Sequence, residues 1–403
     1  MIADLATIRR AYSAFLRPGR VLLSGHSHQA WPDVARHAQA AVFDDAAEHV
    51  DDKWERAVFP IVEEVGRGVL QRMGFAADDA IAFGESTHEL LVRLLSALDL
   101  RRTRIVTTTG EFHSLDRQLG RLAEDGTAVR WVEATPRADL AERVIRAIDA
   151  ESGGEGPLVV ALSAVFFEDS FVLPELARIL EHARDASAIA LVDAYHAFNV
   201  VPLTYGPAGE SAFVLAGGYK YAGFGNGICW MRIPRDSELR PRYTGWFADY
   251  AALAEPRTLP RPPVGYGAAG ARFAGATFEA SGFYRARAVL AQFDALGLTV
   301  PALREISTRQ TRRIIDGLMA HGVLAKNGEP SEGRYVLVSS DEDARRGGFV
   351  SLAHPRARDL VGALRDRGVL TDARGTLLRL GPAPYLSDDE LDRGVAAVAE
   401  LAR

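Results

Sequence analysis

Between residues 80 and 233 the chain repeats one pattern: a short, nearly continuous apolar run ends in turn residues, and an amphipathic stretch follows. The strand candidates are 80–83, 104–107, 129–132, 158–163, 189–192, 212–216 and 227–233, with helices predicted at 87–98, 114–124, 138–149 and 175–184. Strands that are apolar along their whole length are expected where both faces of a sheet are covered. The pattern therefore predicts an α/β fold built on a mostly parallel sheet flanked by helices.

Ahead of this block, residues 1–20 read as a helix and its exit, 21–32 as a short strand entering a polar loop, and 34–73 as helical with a break at Pro60. Beyond it, 252–268 is rich in proline, glycine and alanine and reads as an irregular crossing. A long helical stretch is predicted over 283–321, broken near 297–301 and ended by Gly322. The C-terminal region reads as α+β, with strands near 334–340, 347–353 and 376–380 and a helix over 355–367. A final helix starts at Ser387, where Ser387 and Glu390 have capping-box spacing. The expected organisation is an N-terminal segment, 1–50, joining the small domain; a large domain, 51–282; and a smaller C-terminal α+β domain, 283–403.

A net charge of −6 argues against nucleic acid as a partner and leaves a small anionic ligand open. The single cysteine, Cys229, excludes an intramolecular disulfide framework and a cysteine-rich metal site; its strand-like surroundings mark it as an inert buried thiol. The start carries no secretory signal pattern and no apolar run is long enough to cross a bilayer, so a cytoplasmic protein without a membrane partner is expected. His26 and His28 lie close together with nothing to complete a metal site; they read as a polar loop at a pocket mouth, and no metal is expected.

Three lysines occur in 403 residues, and one has unusual surroundings. Lys53 lies in a charged stretch and Lys326 in a turn-like one, whereas Lys220 follows an apolar run and the pair Gly217-Gly218, between Tyr219 and Tyr221. A buried lysine can lose its proton and attack a carbonyl carbon, which arginine cannot do. Other unusual residues fall at predicted C-terminal strand ends, where ligands of open α/β sheets collect. Gly84-Glu85-Ser86-Thr87-His88 opens a helix, which suits a phosphate and equally describes a plain N-cap. Phe112 follows the second strand, placed to stack on a planar cofactor or simply to pack. Asp193 directly follows Ala190-Leu191-Val192, a costly place for an unpaired carboxylate. The protonated pyridine nitrogen of pyridoxal phosphate is one partner that would justify it, and a capped turn is the other explanation; His196 is close enough in sequence to support a ring. The separation of Asp193 from Lys220 allows one short crossover and one further strand, so the two can end neighbouring strands. A Schiff-base lysine and an aspartate for the pyridinium are what a pyridoxal-phosphate protein must supply.

Asp193-Ala194-Tyr195-His196 followed by Gly218-Tyr219-Lys220-Tyr221 resembles the aspartate-x-x-histidine and tyrosine-lysine-tyrosine segments of the kynureninases, in the class V aminotransferase branch of fold-type I pyridoxal-phosphate enzymes. In the same order, Leu23-Ser24-Gly25-His26-Ser27 is similar to that family's early glycine-asparagine-serine loop, Ser86-Thr87 to its phosphate-binding turn, and Phe112 to its ring-stacking aromatic. Arg242-Tyr243-Thr244-Gly245-Trp246-Phe247 resembles its arginine-x-x-glycine-tryptophan segment, and the stretch from Arg374 to Tyr385 its ending, in which an arginine precedes leucine-x-proline-x-proline.

The resemblance implies a fold-type I transferase fold with pyridoxal 5′-phosphate as cofactor. It implies that Lys220 forms the imine and moves the α-proton, Asp193 holds the pyridinium, His196 supports the ring, Ser86 and Thr87 hold the phosphate, and Tyr219 contacts the phosphate and acts as an acid. Arg379 would grip the α-carboxylate of a small amino-acid substrate, with His26, Ser27 and Arg374 also at the substrate. Trp246 and Thr277 would approach the phosphate of a neighbouring subunit, which implies a homodimer with shared active sites. The implied reaction is hydrolytic cleavage of the Cβ–Cγ bond of a γ-keto amino acid with release of alanine; an aminotransferase or β-lyase acting on another, possibly biosynthetic, amino acid is the alternative. Cysteine desulfurase chemistry is not expected, because Cys229 is in a strand rather than on a mobile loop. The departures concern the substrate: Leu91 stands for the family's substrate-facing histidine unless His88 substitutes, Ala276-Thr277-Phe278-Glu279 for its glycine-threonine-proline-proline, and the run from Phe166 to Ser170 for its tyrosine-x-threonine-glycine.

Overall fold

The computed structural model describes residues 2–256 and 258–402; position 257, inside the predicted irregular crossing, lies outside them. The chain opens with helix α1 (Leu5–Arg10), strand β1 (Val21–Leu22), and helices α2 (Val34–His49) and α3 (Phe59–Met73). The alternating block follows: β2 (Ala80–Gly84), α4 (Thr87–Ser96), β3 (Arg104–Thr108), α5 (His113–Glu124), β4 (Ala128–Val132), α6 (Leu140–Ser152), β5 (Leu158–Ser163), α7 (Leu176–Asp185), β6 (Ile189–Asp193), β7 (Ala212–Gly217) and β8 (Cys229–Ile233). After short helical turns come α8 (Ser281–Ala295) and α9 (Val300–Ala320). The C-terminal part contains β9 (Leu324–Ala325), β10 (Tyr335–Leu337), β11 (Val350–Ala353), α10 (Ala357–Asp366), β12 (Val369–Leu370), β13 (Asp372–Arg374), β14 (Leu377–Leu380) and α11 (Asp388–Ala402).

Seven strands form the main sheet in the order β2-β8-β7-β6-β5-β3-β4. The run from β7 to β4 is parallel, whereas β8 is antiparallel to both β7 and β2. Two reversals restore direction, so β2 points the same way as β7, and six of the seven C-terminal ends lie on one edge. Both faces are covered, as the apolar runs predict: β5 and β7 are buried at every position. Along β5, Leu158, Val160 and Leu162 join one apolar cluster with α6 and α7, while Val159 and Ala161 join another with α4 and α5. The strand order reverses between β5 and β3, the kind of point where open α/β sheets take ligands.

A second sheet of five short strands has the order β13-β14-β11-β10-β9. The N-terminal β1 pairs in parallel with β12, and the chain just beyond it continues the pairing: Leu23 N–H donates to the Leu370 carbonyl, Gly25 N–H to the Gly381 carbonyl at 2.8 Å, and Gly381 N–H to the Leu23 carbonyl at 2.7 Å. The Ser387–Glu390 capping box forms as its spacing predicts, Ser387 N–H donating to Glu390 at 2.9 Å and Glu390 N–H to Ser387 at 3.2 Å.

Two predicted boundaries move. The break placed at Pro60 lies instead at Val50, which adopts φ 51°, and a 3-10 turn and a π turn over Trp54–Val58 lead into α3. Pro60 sits in the first turn of α3, where its missing N–H goes unneeded. The strand predicted from residue 227 starts at Cys229, because Gly227 has φ 79° and cannot extend a ladder.

Candidate active site

The parallel strands deliver the predicted residues to one edge. Ser163 ends β5 opposite Asp193, which ends β6, and Asp193 pairs with Leu215 of β7. The chain leaves β7 at Gly217 and turns to Lys220. Gly217 admits no side chain: a Cβ there would lie 2.5 Å from the Cys229 sulfur and 2.7 Å from the Tyr195 ring. Lys220 is 9% exposed, and its Nζ lies 5.0 Å from the centroid of Phe112, carried over from β3, and 4.0 Å from that of Tyr195. Burial is the main force that pushes this amine down to about 8 from 10.5, the Asp193 charge opposing it. Among the described residues no hydrogen bond or ion pair engages Nζ.

Asp193 accepts a hydrogen bond from the Tyr195 N–H at 2.8 Å. Burial raises its pKa, against the Tyr195 N–H and the Lys220 charge. His196 is buried with Nδ1 unpartnered, and burial, then the charge of Lys220, pushes it well below the usual imidazole range. An enclosed carboxylate with no cation, a neutral imidazole and an unengaged amine among aromatic rings form a receptor for a flat, cationic, aldehyde-bearing ring. Pyridoxal phosphate has that chemistry, so the residues fit it. Glu111 lies behind the group, accepting from Thr108 and Ser163 hydroxyls at 2.6 Å each; burial pushes it up to about 7.

The start of α4 belongs to the same edge. Ser86 caps it, its hydroxyl accepting from the Glu89 N–H at 3.1 Å, so the N-cap role is real. The Ser86 hydroxyl hydrogen and the His88 N–H are engaged by no other described residue and stay available to an anion. Glu89 competes for that end, taking the Glu85 N–H at 2.8 Å while pairing with Arg93. The Thr87 N–H approaches the buried Cys229 sulfur, which also meets the Tyr195 hydroxyl at 4.0 Å, so α4 and the Lys220 turn are neighbours. The Tyr219 N–H donates to the Tyr195 hydroxyl at 3.4 Å, and its ring meets His28 edge-on at 5.3 Å. Trp246 and Thr277 are bonded to each other at 3.3 Å; Thr277 lines a cleft of about 550 Å³ with Glu85 and Glu89 of its own chain. Leu91 is buried in the apolar cluster of α4, and His88 is exposed.

The β13–β14 hairpin sets Asp372 across from Arg379. Arg379 is 2% exposed; its Nε donates to Asp372 at 2.9 Å, one Nη pairs with the other Asp372 oxygen, and the second Nη donates to the Phe167 carbonyl at 2.6 Å. Arg374 is half-exposed, 3.5 Å from Asp372. His26 corrects an expectation: it is fully buried rather than at a pocket mouth, stacked on Phe349 at 4.5 Å, with Nε2 2.8 Å from Asp372. The β1–β12 pairing draws the loop inside, and Gly381 makes room, since a Cβ there would lie 2.2 Å from His26 Nδ1. Burial pushes His26 down to about 4, so it is neutral, while the bonds from His26 and Arg379 outweigh burial and hold Asp372 well below the carboxylate range. Ser27 donates to the Ser24 carbonyl at 3.2 Å.

Three residues at the site went unread in the sequence: Glu111, Tyr195 and Asp372. The first two adjoin singled-out residues; the third could have been found as the cross-strand partner of Arg379 in a hairpin turning at Gly375, φ 56°.

The kynureninase C-terminal domain family matches residues 315–398. A kynureninase of Pseudomonas fluorescens is 26% identical over 417 aligned positions, covering 99% of this chain and 92% of its own, and one of Geobacillus thermodenitrificans (strain NG80-2) is 22% identical, covering 94% and 87%. Among solved structures, a C-DES mutant with glycine covalently linked to its PLP cofactor superposes with a TM-score of 0.81 at 17% identity, covering 98% and 99% of the two chains. The apo cysteine desulfurase of Thermococcus onnurineus NA1 superposes with 0.77 at 17% identity, covering 100% and 98%. Fold and site together define a pyridoxal-phosphate-dependent enzyme of fold type I. Within that class the chain is similar to kynureninases.

Proposed function

We propose that this enzyme hydrolyses the Cβ–Cγ bond of an L-α-amino acid with a γ-keto group, releasing alanine and a carboxylic acid. The observation that carries the reading is similarity to kynureninases along 99% of the chain, with Lys220, Asp193 and Arg379 gathered at one site.

Bound pyridoxal phosphate supplies the electron sink for negative charge at the substrate Cα. Lys220 would hold the cofactor covalently and would carry the Cα proton of a bound substrate, a task suited to an amine brought down to about 8. Asp193 would keep the ring nitrogen protonated, Phe112 and His196 would support the ring, and Ser86 and Thr87 would hold the phosphate at the start of α4. Arg379, with Arg374, His26 and Ser27 around it, orients the substrate by its carboxylate. As water adds to Cγ, Tyr219 would give a proton to the carbonyl oxygen and recover one from the water; as the Cβ–Cγ bond breaks, a Cγ hydroxyl proton would pass to Cβ and Lys220 would return the Cα proton, leaving alanine and the acid. The same reading makes the protein a cytoplasmic homodimer in which Trp246 and Thr277 reach the neighbouring phosphate, divided near residues 50 and 282.

An aminotransferase or β-lyase is the second reading. The burial of Leu91, where the family has a substrate-facing histidine, favours it. Incubation with L-kynurenine, 3-hydroxykynurenine and a panel of amino and keto acids, with product analysis, separates the two. Alanine from no aromatic γ-keto amino acid ends the hydrolase reading.

A further inference from the structure

A guanidinium has five N–H groups. In Arg379 three are used: Nε and one Nη by Asp372, and the other Nη by the Phe167 carbonyl. One N–H remains on each terminal nitrogen. Asp372 is in turn anchored on its other side by His26, 2.8 Å away, whose ring is fixed on Phe349. With Asp372 ionised, the His26 proton sits on Nε2, so the imidazole donates to the carboxylate and adds no charge. Arg379, Arg374 and Asp372 then sum to a single positive charge, which matches one carboxylate.

We propose that Asp372 is a positioning residue for the substrate's carboxylate: held by His26, it clamps the inner edge of Arg379 so that the outer N–H pair is set for one carboxylate group. The proposal rests on the reading of Arg379 as the α-carboxylate site and deepens it. Without the clamp, a buried guanidinium has lost its counter-charge and two of its bonds, and it turns to find others. An asparagine cannot replace the aspartate, because its amide accepts along one side only and turns N–H against N–H on the other.

The test uses holoenzyme and two probes, L-alanine, which carries the carboxylate, and ethylamine, which lacks it. Each is titrated while the absorbance of the bound cofactor is followed, in wild type, Asp372→Asn and Arg379→Gln. Asp372→Asn is expected to weaken L-alanine by about tenfold or more while ethylamine stays within about twofold. If Arg379→Gln loses the preference for L-alanine and Asp372→Asn keeps it, the proposal falls and the reading of Arg379 stands. If Arg379→Gln keeps the preference, that reading falls and takes the proposal with it. Equal weakening of both probes by Asp372→Asn assigns Asp372 a merely structural role and also overturns the proposal. Should Asp372→Asn fail to hold cofactor, the same ratio is read from Asp372→Glu, whose carboxylate is displaced by one methylene.

Discussion

Asp193 and Lys220 stand at the ends of neighbouring parallel strands, and among the described residues no ion pair joins them. Each is shifted toward its neutral form by burial, the opposite of what a direct pair would do. The arrangement keeps an anion and an amine apart.

Asp193→Asn should therefore bind cofactor but turn over at least about a hundredfold more slowly, because an amide does not hold the ring nitrogen protonated. Steady-state kinetics and the spectrum of the bound cofactor check this. A variant with wild-type kcat would remove Asp193 from the mechanism.

Borohydride reduction of holoenzyme should place the cofactor label on the peptide containing Lys220, as mass spectrometry can show. In apoprotein the rate of cofactor attachment should rise as pH passes through about 8, where the amine loses its proton. A label on Lys53 or Lys326 contradicts the assignment.

Glu111 gives a stability signature of the opposite kind. Its folded pKa, about 7, lies above the ordinary 4.5, so between these values the folded apoprotein binds more protons than the unfolded chain. The contribution is present below about 4.5 and is lost as pH rises to about 7. Glu111→Gln should lack that decline. Urea denaturation of both apoproteins at pH 5 and 7.5 measures it, and parallel pH profiles would contradict the burial of a titrating carboxyl.

Gly381→Ala drives a methyl group into the His26 ring. Overpacking of this kind costs about 1–3 kcal/mol. Chemical denaturation should show that loss together with weaker binding of L-alanine; an unchanged midpoint would mean that the loop carrying His26 yields freely.

The central sheet was legible because its inner strands are covered on both faces, β5 and β7 at every position, so their residues are apolar throughout and their ends stand out, whereas the edge strand β4 is half exposed and carries Arg130. Asp193 and Lys220 were legible for the same reason: a carboxylate and a lysine where apolar runs stop. The pairs β1–β12 and β13–β14 are another matter. With two to four residues each, they carry no periodicity, and their pairing is decided by bonds to distant chain. His26 shows the consequence. Its neighbours in sequence are polar, as at a surface, and only the pairing of Val21 and Leu22 with Val369 and Leu370 takes it inside. Asp372 reads as a loop charge until the hairpin sets it against Arg379.

His26 and Asp372 are 346 positions apart. A polypeptide emerging from the ribosome completes the seven-stranded sheet with Ile233, but it cannot bring these two together until almost all of it has been made. The corner formed by His26, Asp372 and Arg379 is thus finished last, after the sheet edge that carries Asp193 and Lys220.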